Sequence, residues 1–175
     1  MAQSAARIIN IADAELVPRP AEHAPAGARA ALYDVKMARL SALLGARHLG
    51  YNVTAVAAGK RAFPFHNHRI NEEMFFILAG SGEVRIGDEI FPLKAGDLLA
   101  CPPGGPETAH QIINSGSEEL RYLSVSTRLY PEVCEYPDSE KFGIYAEFAA
   151  DEHGQKKQFR HVGRVAQNID YWDGE

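Results

Sequence analysis

The amino-acid sequence predicts an all-β protein, folded as a sandwich of two sheets or as a jelly-roll barrel. The first observation is a series of short apolar runs between residues 49 and 127, each bounded by turn-forming residues. The second is that no long helical pattern interrupts these runs. The third is the size of the chain, because 175 residues with 46% hydrophobic content suit one globular domain.

Residues 1 to 47 precede the predicted strands. Three prolines and a glycine within residues 18–27 are typical of irregular structure, so a partly ordered linker is one interpretation of that part. The apolar stretch Met37–Leu44 favours either a turn or two of helix or a strand. We expect this zone to form an arm that packs on the barrel.

Residues 48 to 130 are predicted to form the barrel itself. Turn residues separate the seven runs that we interpret as strands, which are residues 51–57, 73–78, 82–86, 89–93, 97–101, 110–114 and 120–127. Gly87–Asp88 lies between two of these runs and predicts a tight hairpin. Residues 114–117, Asn-Ser-Gly-Ser, predict another turn.

Residues 131 to 175 form a C-terminal extension that is acidic and aromatic. It holds ten acidic and five basic side chains. Aromatic residues at this density are rarely left exposed to water, so we expect them to pack on the barrel or on a second subunit. They include Tyr136, Phe142, Tyr145, Phe148, Tyr171 and Trp172.

Charge and hydropathy argue against two classes of partner. The net charge is −5 and no basic stripe is present, so we expect no nucleic-acid binding. No stretch is long and apolar enough to span a bilayer, and the first residues lack the apolar core of a secretory signal. We therefore expect no membrane partner and a cytoplasmic location, where Cys101 and Cys134 remain thiols. Cys101 is interpreted as a small buried apolar residue.

Four side chains of metal-binding type are distributed along the barrel sequence. His66 and His68 lie two residues apart, so on a strand both side chains point to the same face. Glu73 begins the next run after a polar stretch, and His110 begins a distant run after a segment rich in proline and glycine. Three imidazoles and one carboxylate leave one or two positions open on a divalent ion, as in reactive rather than sealed sites.

At these residues the sequence resembles the cupin superfamily. The first cupin motif, G(X)5HXH(X)3,4E(X)6G, is present with one extra residue before its first histidine. Its positions here are Gly59, His66, His68, Glu73 and Gly80. The second motif, G(X)5PXG(X)2H(X)3N, is present with three extra residues before its histidine. Its positions are Gly96, Pro102, Gly104, His110 and Asn114.

The resemblance covers about residues 48 to 130. It implies a double-stranded β-helix, the cupin jelly-roll barrel, with N- and C-terminal extensions. It also implies a divalent metal ion held by His66, His68, Glu73 and His110. The long segment before His110 affects the pocket mouth, so no family substrate is carried over.

Strand register decides between two neighbouring carboxylates. Glu73 lies seven residues before Gly80, as the motif requires. Glu72 would point to the opposite face of the strand. We therefore assign Glu73 as the ligand and expect Glu72 to be solvated.

The ligand set is compatible with zinc, nickel, manganese or iron(II), and the sequence does not select among them. Apolar residues on the ligand faces are predicted to exclude water and strengthen the effect of the ion. Together with nearby polar residues they are our candidates for a substrate pocket. These candidates are Tyr51, Phe75, Ile77, Gln111 and Ile112. No catalytic acid or base is assigned.

Three functions fit this site. The first is an enzyme that isomerises or epimerises a small sugar-like or carboxylate substrate by metal Lewis-acid catalysis. The second is an iron(II)-dependent dioxygenase, and the third is a metal-dependent binding or sensor protein without turnover. Segments 124–128 and 136–138 look like a group of bacterial cupins of which some are labelled sugar-phosphate isomerases. That label itself rests on fold analogy.

The strand edges of an open jelly roll need cover. The two terminal segments can provide it, either within one subunit or exchanged across a twofold axis. We therefore expect a homodimer.

Overall fold

The computed structural model describes residues 8–150 and 156–175, where nearly all regular structure is β-strand. The first seven residues of the predicted arm, and residues 151–155 of the extension, lie outside this description. The strands, in chain order, are β1 (Val17–Pro18), β2 (Val35–Arg39), β3 (Leu49–Val56), β4 (Asn67–His68), β5 (Glu73–Ala79), β6 (Ser81–Ile86), β7 (Glu89–Lys94), β8 (Leu98–Cys101), β9 (His110–Ile113), β10 (Leu120–Thr127), β11 (Glu132–Tyr136), β12 (Lys141–Ala150) and β13 (Lys156–Arg164).

Helical structure in the described residues is limited to short segments. There is one α-helical turn, α1 (Leu40–Leu43). The 3-10 segments are Ile11–Asp13, Ala21–His23, Gly27–Leu32, Pro106–Thr108, Pro137–Ser139 and Val165–Gln167. Within residues 8–150 and 156–175, no helix has the length and apolar character that crossing a membrane requires. The all-β prediction is confirmed.

The seven predicted runs all form strands, with ends that differ by two residues or fewer from the predicted ones. Gly87 has a φ of 54° in the turn between β6 and β7, the left-handed conformation that a two-residue hairpin needs. The stretch Met37–Leu44, for which the sequence favours either helix or strand, contains both. It spans the end of strand β2 and all of helix α1.

The strands form two layers that enclose the main apolar core. One layer is a six-stranded sheet with the order β1-β2-β3-β10-β5-β8. The other combines the sheets β13-β12-β11-β4 and β7-β6-β9, which a single antiparallel bridge between His66 and His110 connects. Phe75, Ile77 and Tyr122 of the first layer pack with Val84 and Ile112 of the second.

The N-terminal arm adds to the first layer within the same subunit. Strand β2 pairs with β3, and β1 pairs with β2. A second apolar cluster forms around the buried residues Ala38, Leu40 and Val53, with Tyr51 packed against it. The arm therefore contributes a sheet edge and an apolar cover. The homodimer stays a prediction, which static light scattering tests.

The C-terminal extension pairs with the strand that carries His68. Strand β11 lies antiparallel to β4, with Cys134 opposite His68, and β12 and β13 continue this sheet as a hairpin. Tyr136 and Tyr145 are half-buried, as expected for packed aromatic residues. Phe148, Tyr171 and Trp172 are exposed in the single subunit, and their packing on a second subunit stays a prediction.

Gly80 connects β5 to β6 and allows a prediction about the barrel. Its φ is +80°, and a Cβ atom there would lie 2.6 Å from the backbone oxygen of Glu119. Gly96 has a φ of +92° with no atom within 4 Å of a Cβ. We expect Gly96→Ala to lower the free energy of unfolding by about 1–2 kcal/mol, the cost of the left-handed conformation alone. Gly80→Ala should lower it by a further 1 kcal/mol or so, because it also introduces a clash.

Urea unfolding of both glycine variants measures these two effects. An equal loss of stability in Gly80→Ala and Gly96→Ala would show that the contact with Glu119 relaxes without cost.

Candidate metal centre

The four predicted ligands converge on one point. The Nε2 atoms of His66, His68 and His110 lie 3.9, 3.3 and 3.1 Å from Oε2 of Glu73. The ring of His66 is centred 5.1 Å from that of His68 and 4.8 Å from that of His110. Three imidazoles from two distant segments therefore surround one carboxylate oxygen. Metal binding by these residues remains a prediction at this point.

Backbone pairing brings the distant segments together. The amide of His66 donates to the carbonyl oxygen of His110 at 3.2 Å, and the amide of His110 donates to that of His66 at 2.8 Å. His68 follows on β4, two residues beyond His66. Glu73 is the first residue of β5, where Ser126 and Cys101 lie opposite it on the neighbouring strands. Glu72 is exposed, as the register argument expects.

The charges of the site follow from burial and from these contacts. Burial opposes ionisation of Glu73, but contacts with His110 and His68 outweigh it and hold the pKa of Glu73 well below its usual range. Burial, helped by the neighbouring His110, lowers the pKa of His66 to about 4. Burial also disfavours charging of His68, yet Cys134 and Glu73 more than compensate and raise its pKa. At neutral pH the site thus holds a carboxylate, a neutral His66 and a protonated His68.

The donor atoms fit a divalent cation. Ligand atoms of His66, His68 and Glu73 all lie within 4.8 Å of one another. Nε2 of His68 is buried and makes no hydrogen bond of good geometry, so its 3.3 Å contact with the carboxylate of Glu73 is an ion pair alone. A divalent cation at this point would replace the proton of His68 and bind both atoms. Imidazole nitrogen with one carboxylate suits borderline divalent ions.

The other nitrogen of His68 faces two residues of the C-terminal extension. Its Nδ1 atom lies 3.3 Å from Sγ of Cys134 and 3.4 Å from Oε2 of Glu132. Both residues are buried. A carboxylate beside Nδ1 favours the proton on that nitrogen and directs Nε2 toward Glu73, as outer partners of metal-binding histidines do. Sequence reasoning missed both residues, although Glu132, Cys134 and Tyr136 alternate with the period of a strand.

A cavity of about 330 Å³ borders the candidate ligands. His66, His68 and Glu73 line one side of it. The rest is lined mainly by residues of β10, β11, β12 and the β10–β11 connection, which are Ser126, Thr127, Arg128, Leu129, Tyr130, Glu132, Cys134, Tyr136 and Tyr145, together with Asn71. His110 is almost fully buried and does not line the cavity.

None of the five residues predicted as substrate-pocket candidates lines this cavity, and their role in binding a substrate stays a prediction. Phe75, Ile77 and Ile112 belong to the buried core, although the ring of Phe75 lies 5.6 Å from that of His110. Gln111 follows His110 directly and so points to the other face, where it donates to the carbonyl oxygen of Phe63. Tyr51 packs in the second apolar cluster beneath the N-terminal arm.

The cysteines differ in their surroundings. Cys101 is buried in the main core, as expected for a small apolar residue, and burial raises its pKa to about 12. Its thiol is therefore neutral. Cys134 is also a buried free cysteine but contacts His68, a neighbour that the sequence does not reveal.

Metal binding is expected to release protons at neutral pH. Because the pKa of His68 is raised in the metal-free protein, Nε2 carries a proton that must leave before it can bind a cation. Affinity should therefore fall as the pH falls. Titration calorimetry with zinc in two buffers of different ionisation enthalpy should show a binding enthalpy that depends on the buffer, as expected for proton release. An observed enthalpy that is independent of the buffer would contradict this protonation state.

Comparison with known proteins gives the same family as the motifs. Residues 52–126 match the family model of the cupin domain. An uncharacterised protein of Methanocaldococcus jannaschii is 38% identical over 61 residues, which are 35% of this chain and 46% of that protein. The match therefore spans less than half the length of that relative.

Two solved structures share the fold over most of their length. A protein of Acidithiobacillus ferrooxidans, provisionally named a sugar phosphate isomerase, has 25% identity and a TM-score of 0.63, with 78% of this chain and 80% of that chain covered. A protein of Silicibacter pomeroyi, named a sugar phosphate isomerase from a cupin superfamily, has 21% identity and a TM-score of 0.73, with 95% and 98% covered. The motifs, the barrel and this match identify residues 52–126 of the chain as a cupin domain.

Proposed function

We propose that this protein binds one divalent metal ion through His66, His68, Glu73 and His110 and uses it to isomerise or epimerise a small sugar-like substrate. The observation that carries the proposal is the position of three of these ligands, His66, His68 and Glu73, at the border of an open cavity of about 330 Å³. A structural metal site would be closed on all sides, whereas a reactive one leaves room for a substrate beside the ion.

The cavity offers groups suited to an oxygen-rich substrate. The hydroxyl groups of Tyr136 and Tyr145 lie 3.2 Å apart, and both residues line the cavity. Burial and the bond to Tyr145 raise the pKa of Tyr136, so its hydroxyl keeps its proton at neutral pH. Tyr136 is therefore suited to donate a hydrogen bond to a substrate oxygen and unsuited to act as a base. Ser126 and Thr127 add further hydroxyl groups on the β10 side.

A cation held by the four ligands would supply Lewis-acid activation of a substrate hydroxyl or carbonyl oxygen. The protein's own part is to fix the ligand geometry. Glu132 and Cys134 orient His68, and the backbone pair between His66 and His110 holds these two imidazoles side by side. Phe75 packs behind His110 and keeps water from that side.

The name of one solved relative supports an isomerase. The Acidithiobacillus ferrooxidans protein carries this suggestion, because its identity to this chain is 25%. The Silicibacter pomeroyi protein supports the shared fold alone. A sugar phosphate is therefore the first substrate class to test.

The test begins with elemental analysis of protein purified without added metal. We expect about one equivalent of a divalent ion, in line with one set of ligands. A panel of sugar phosphates followed by NMR should then reveal an isomer or epimer of at least one compound, with no oxygen consumed. Oxygen uptake by the iron(II) form would favour the dioxygenase instead. Ligand-dependent stabilisation without product from any compound would favour a binding protein.

A further inference from the structure

A second cavity lies where the N-terminal arm, the barrel and the C-terminal extension meet. It has a volume of about 220 Å³ and shares no lining residue with the cavity beside the metal ligands. Four cationic side chains line it, and they come from all three parts of the chain. They are Arg19 and Arg29 of the arm, Arg61 of the barrel and Lys141 of β12.

The positive charge of this cavity is not balanced from within the subunit. Its one carboxylate, Asp138, has both oxygens 2.9 Å from Nη1 of Arg85 and is therefore already engaged. Among the residues that the structure describes, none of the four cationic side chains of the cavity forms an ion pair. The cavity thus carries an excess of positive charge.

Partial burial makes this excess unfavourable. Arg19, Arg61 and Lys141 are only half-exposed. Arg19 donates to the carbonyl oxygen of Ala62 and lies over the ring of Phe63, and desolvation lowers its pKa. Charges removed from water without a counter-ion cost free energy, and an anion bound among them would offset that cost.

The backbone around Arg61 is fixed in a way that suits a binding site. Its amide donates to the carbonyl oxygen of Leu32 at 2.9 Å, and it forms bridges with Tyr33 of the arm and Ile113 of β9. The backbone of Arg61 is therefore held by the arm and by the barrel before any ligand binds. A rigid site loses less entropy when it binds.

We propose that this cavity binds the phosphate group of a small phosphorylated molecule. Guanidinium groups match the oxygens of phosphate with paired hydrogen bonds. A phosphate group carries about −1.5 to −2 charges at neutral pH, so it balances several cations better than a single carboxylate. Tyr33 and Phe65 also line the cavity and give the carbon skeleton an apolar contact.

Isothermal titration calorimetry of the full chain, at constant ionic strength, tests this site with inorganic phosphate and with glycerol 3-phosphate. The variants Arg61→Gln and Lys141→Gln each remove one charge from the cavity. Arg39→Gln removes the same charge from an exposed position on β2 and serves as the matched control. We expect binding by the wild type, a loss of about tenfold or more in each cavity variant, and no change beyond about twofold in the control.

The variant His66→Ala separates this site from the proposed metal centre, because phosphate can also bind a metal ion. It should bind phosphate as the wild type does, whether or not the proposed activity exists. Tighter binding of glycerol 3-phosphate would identify an organic ester as the occupant, and tighter binding of inorganic phosphate would identify the free ion. The proposal is overturned if neither anion binds, if Arg39→Gln weakens binding as much as Arg61→Gln, or if His66→Ala abolishes it.

Discussion

Replacing His66 by alanine is expected to remove the bound metal ion and leave the protein folded. The substitution deletes one of four donors, and since loss of an outer partner alone costs 10–100-fold in affinity, loss of a ligand should cost about 100-fold or more. The fold should survive because the backbone pair between His66 and His110 does not involve the side chain. The hydrogen bond that alanine would remove is the one from Nδ1 of His66 to the carbonyl oxygen of Pro64.

Elemental analysis after dialysis measures bound metal in the variant, and circular dichroism reports its fold. His48→Ala is the control. His48 is exposed, precedes β3 and does not line the cavity beside the candidate ligands. We expect His48→Ala to keep about one equivalent and His66→Ala close to none. A full equivalent in His66→Ala would show that the four side chains do not form the metal site.

The structure brings the four predicted ligands together, and three of them are local to one another in the sequence. His66, His68 and Glu73 lie within eight residues, and a strand followed by a bend is enough to bring them together. His110 is distant, and only the order of the two motifs connected it to the others. The backbone bridge between His66 and His110 is the physical reason for that connection.

The sequence does not reveal which residues border the cavity, because strand alternation alone does not identify the face that another segment covers. Tyr51 lies on the same face of β3 as Val53, whose side chain packs under the arm. The stretch 51–55 alternates apolar and polar residues, yet residues on both faces of β3 are buried because the arm covers one face, so the alternation does not show which face borders the cavity. Gln111 was placed near the metal through its neighbour His110, yet adjacent residues on a strand point to opposite faces.

The contribution of the C-terminal extension depends on a pairing that no local pattern encodes. Strand β11 reaches β4 across more than sixty residues of sequence, and this pairing places Glu132 and Cys134 beside His68. The aromatic content of the extension predicted that its side chains pack on the barrel or on a second subunit. Tyr136 and Tyr145 line the cavity beside the candidate ligands.

Replacing Glu132 by alanine is expected to cost more stability than any other change beside the metal centre. The carboxylate of Glu132 is buried and accepts hydrogen bonds from the backbone amides of Arg69, Ile70, Asn71 and Val133. It also accepts from the side-chain amide of Asn71. Alanine would leave the buried amide of Asn71 unsatisfied and would remove an acceptor from the partly buried amides of Ile70 and Val133, at a cost of about 1–3 kcal/mol for each group that water does not reach. The amide of Arg69 would keep the carbonyl oxygen of Val133 as an acceptor.

We therefore expect Glu132→Ala to lower the free energy of unfolding by about 3 kcal/mol or more, as measured by urea denaturation. Glu135→Ala is the control on the same strand. The side-chain amide of Asn67 that donates to Glu135 also donates to the carbonyl oxygen of Gly104, so it keeps an acceptor in this variant. The carboxylate of Glu135 is partly exposed and pairs with Arg69 at the surface. Its loss should cost about 1 kcal/mol or less. In Glu132→Gln one acceptor oxygen remains, so its stability should lie between those of the wild type and Glu132→Ala. If Glu132→Ala is no less stable than Glu135→Ala, water or a neighbouring group satisfies the segment 69–71 without the carboxylate.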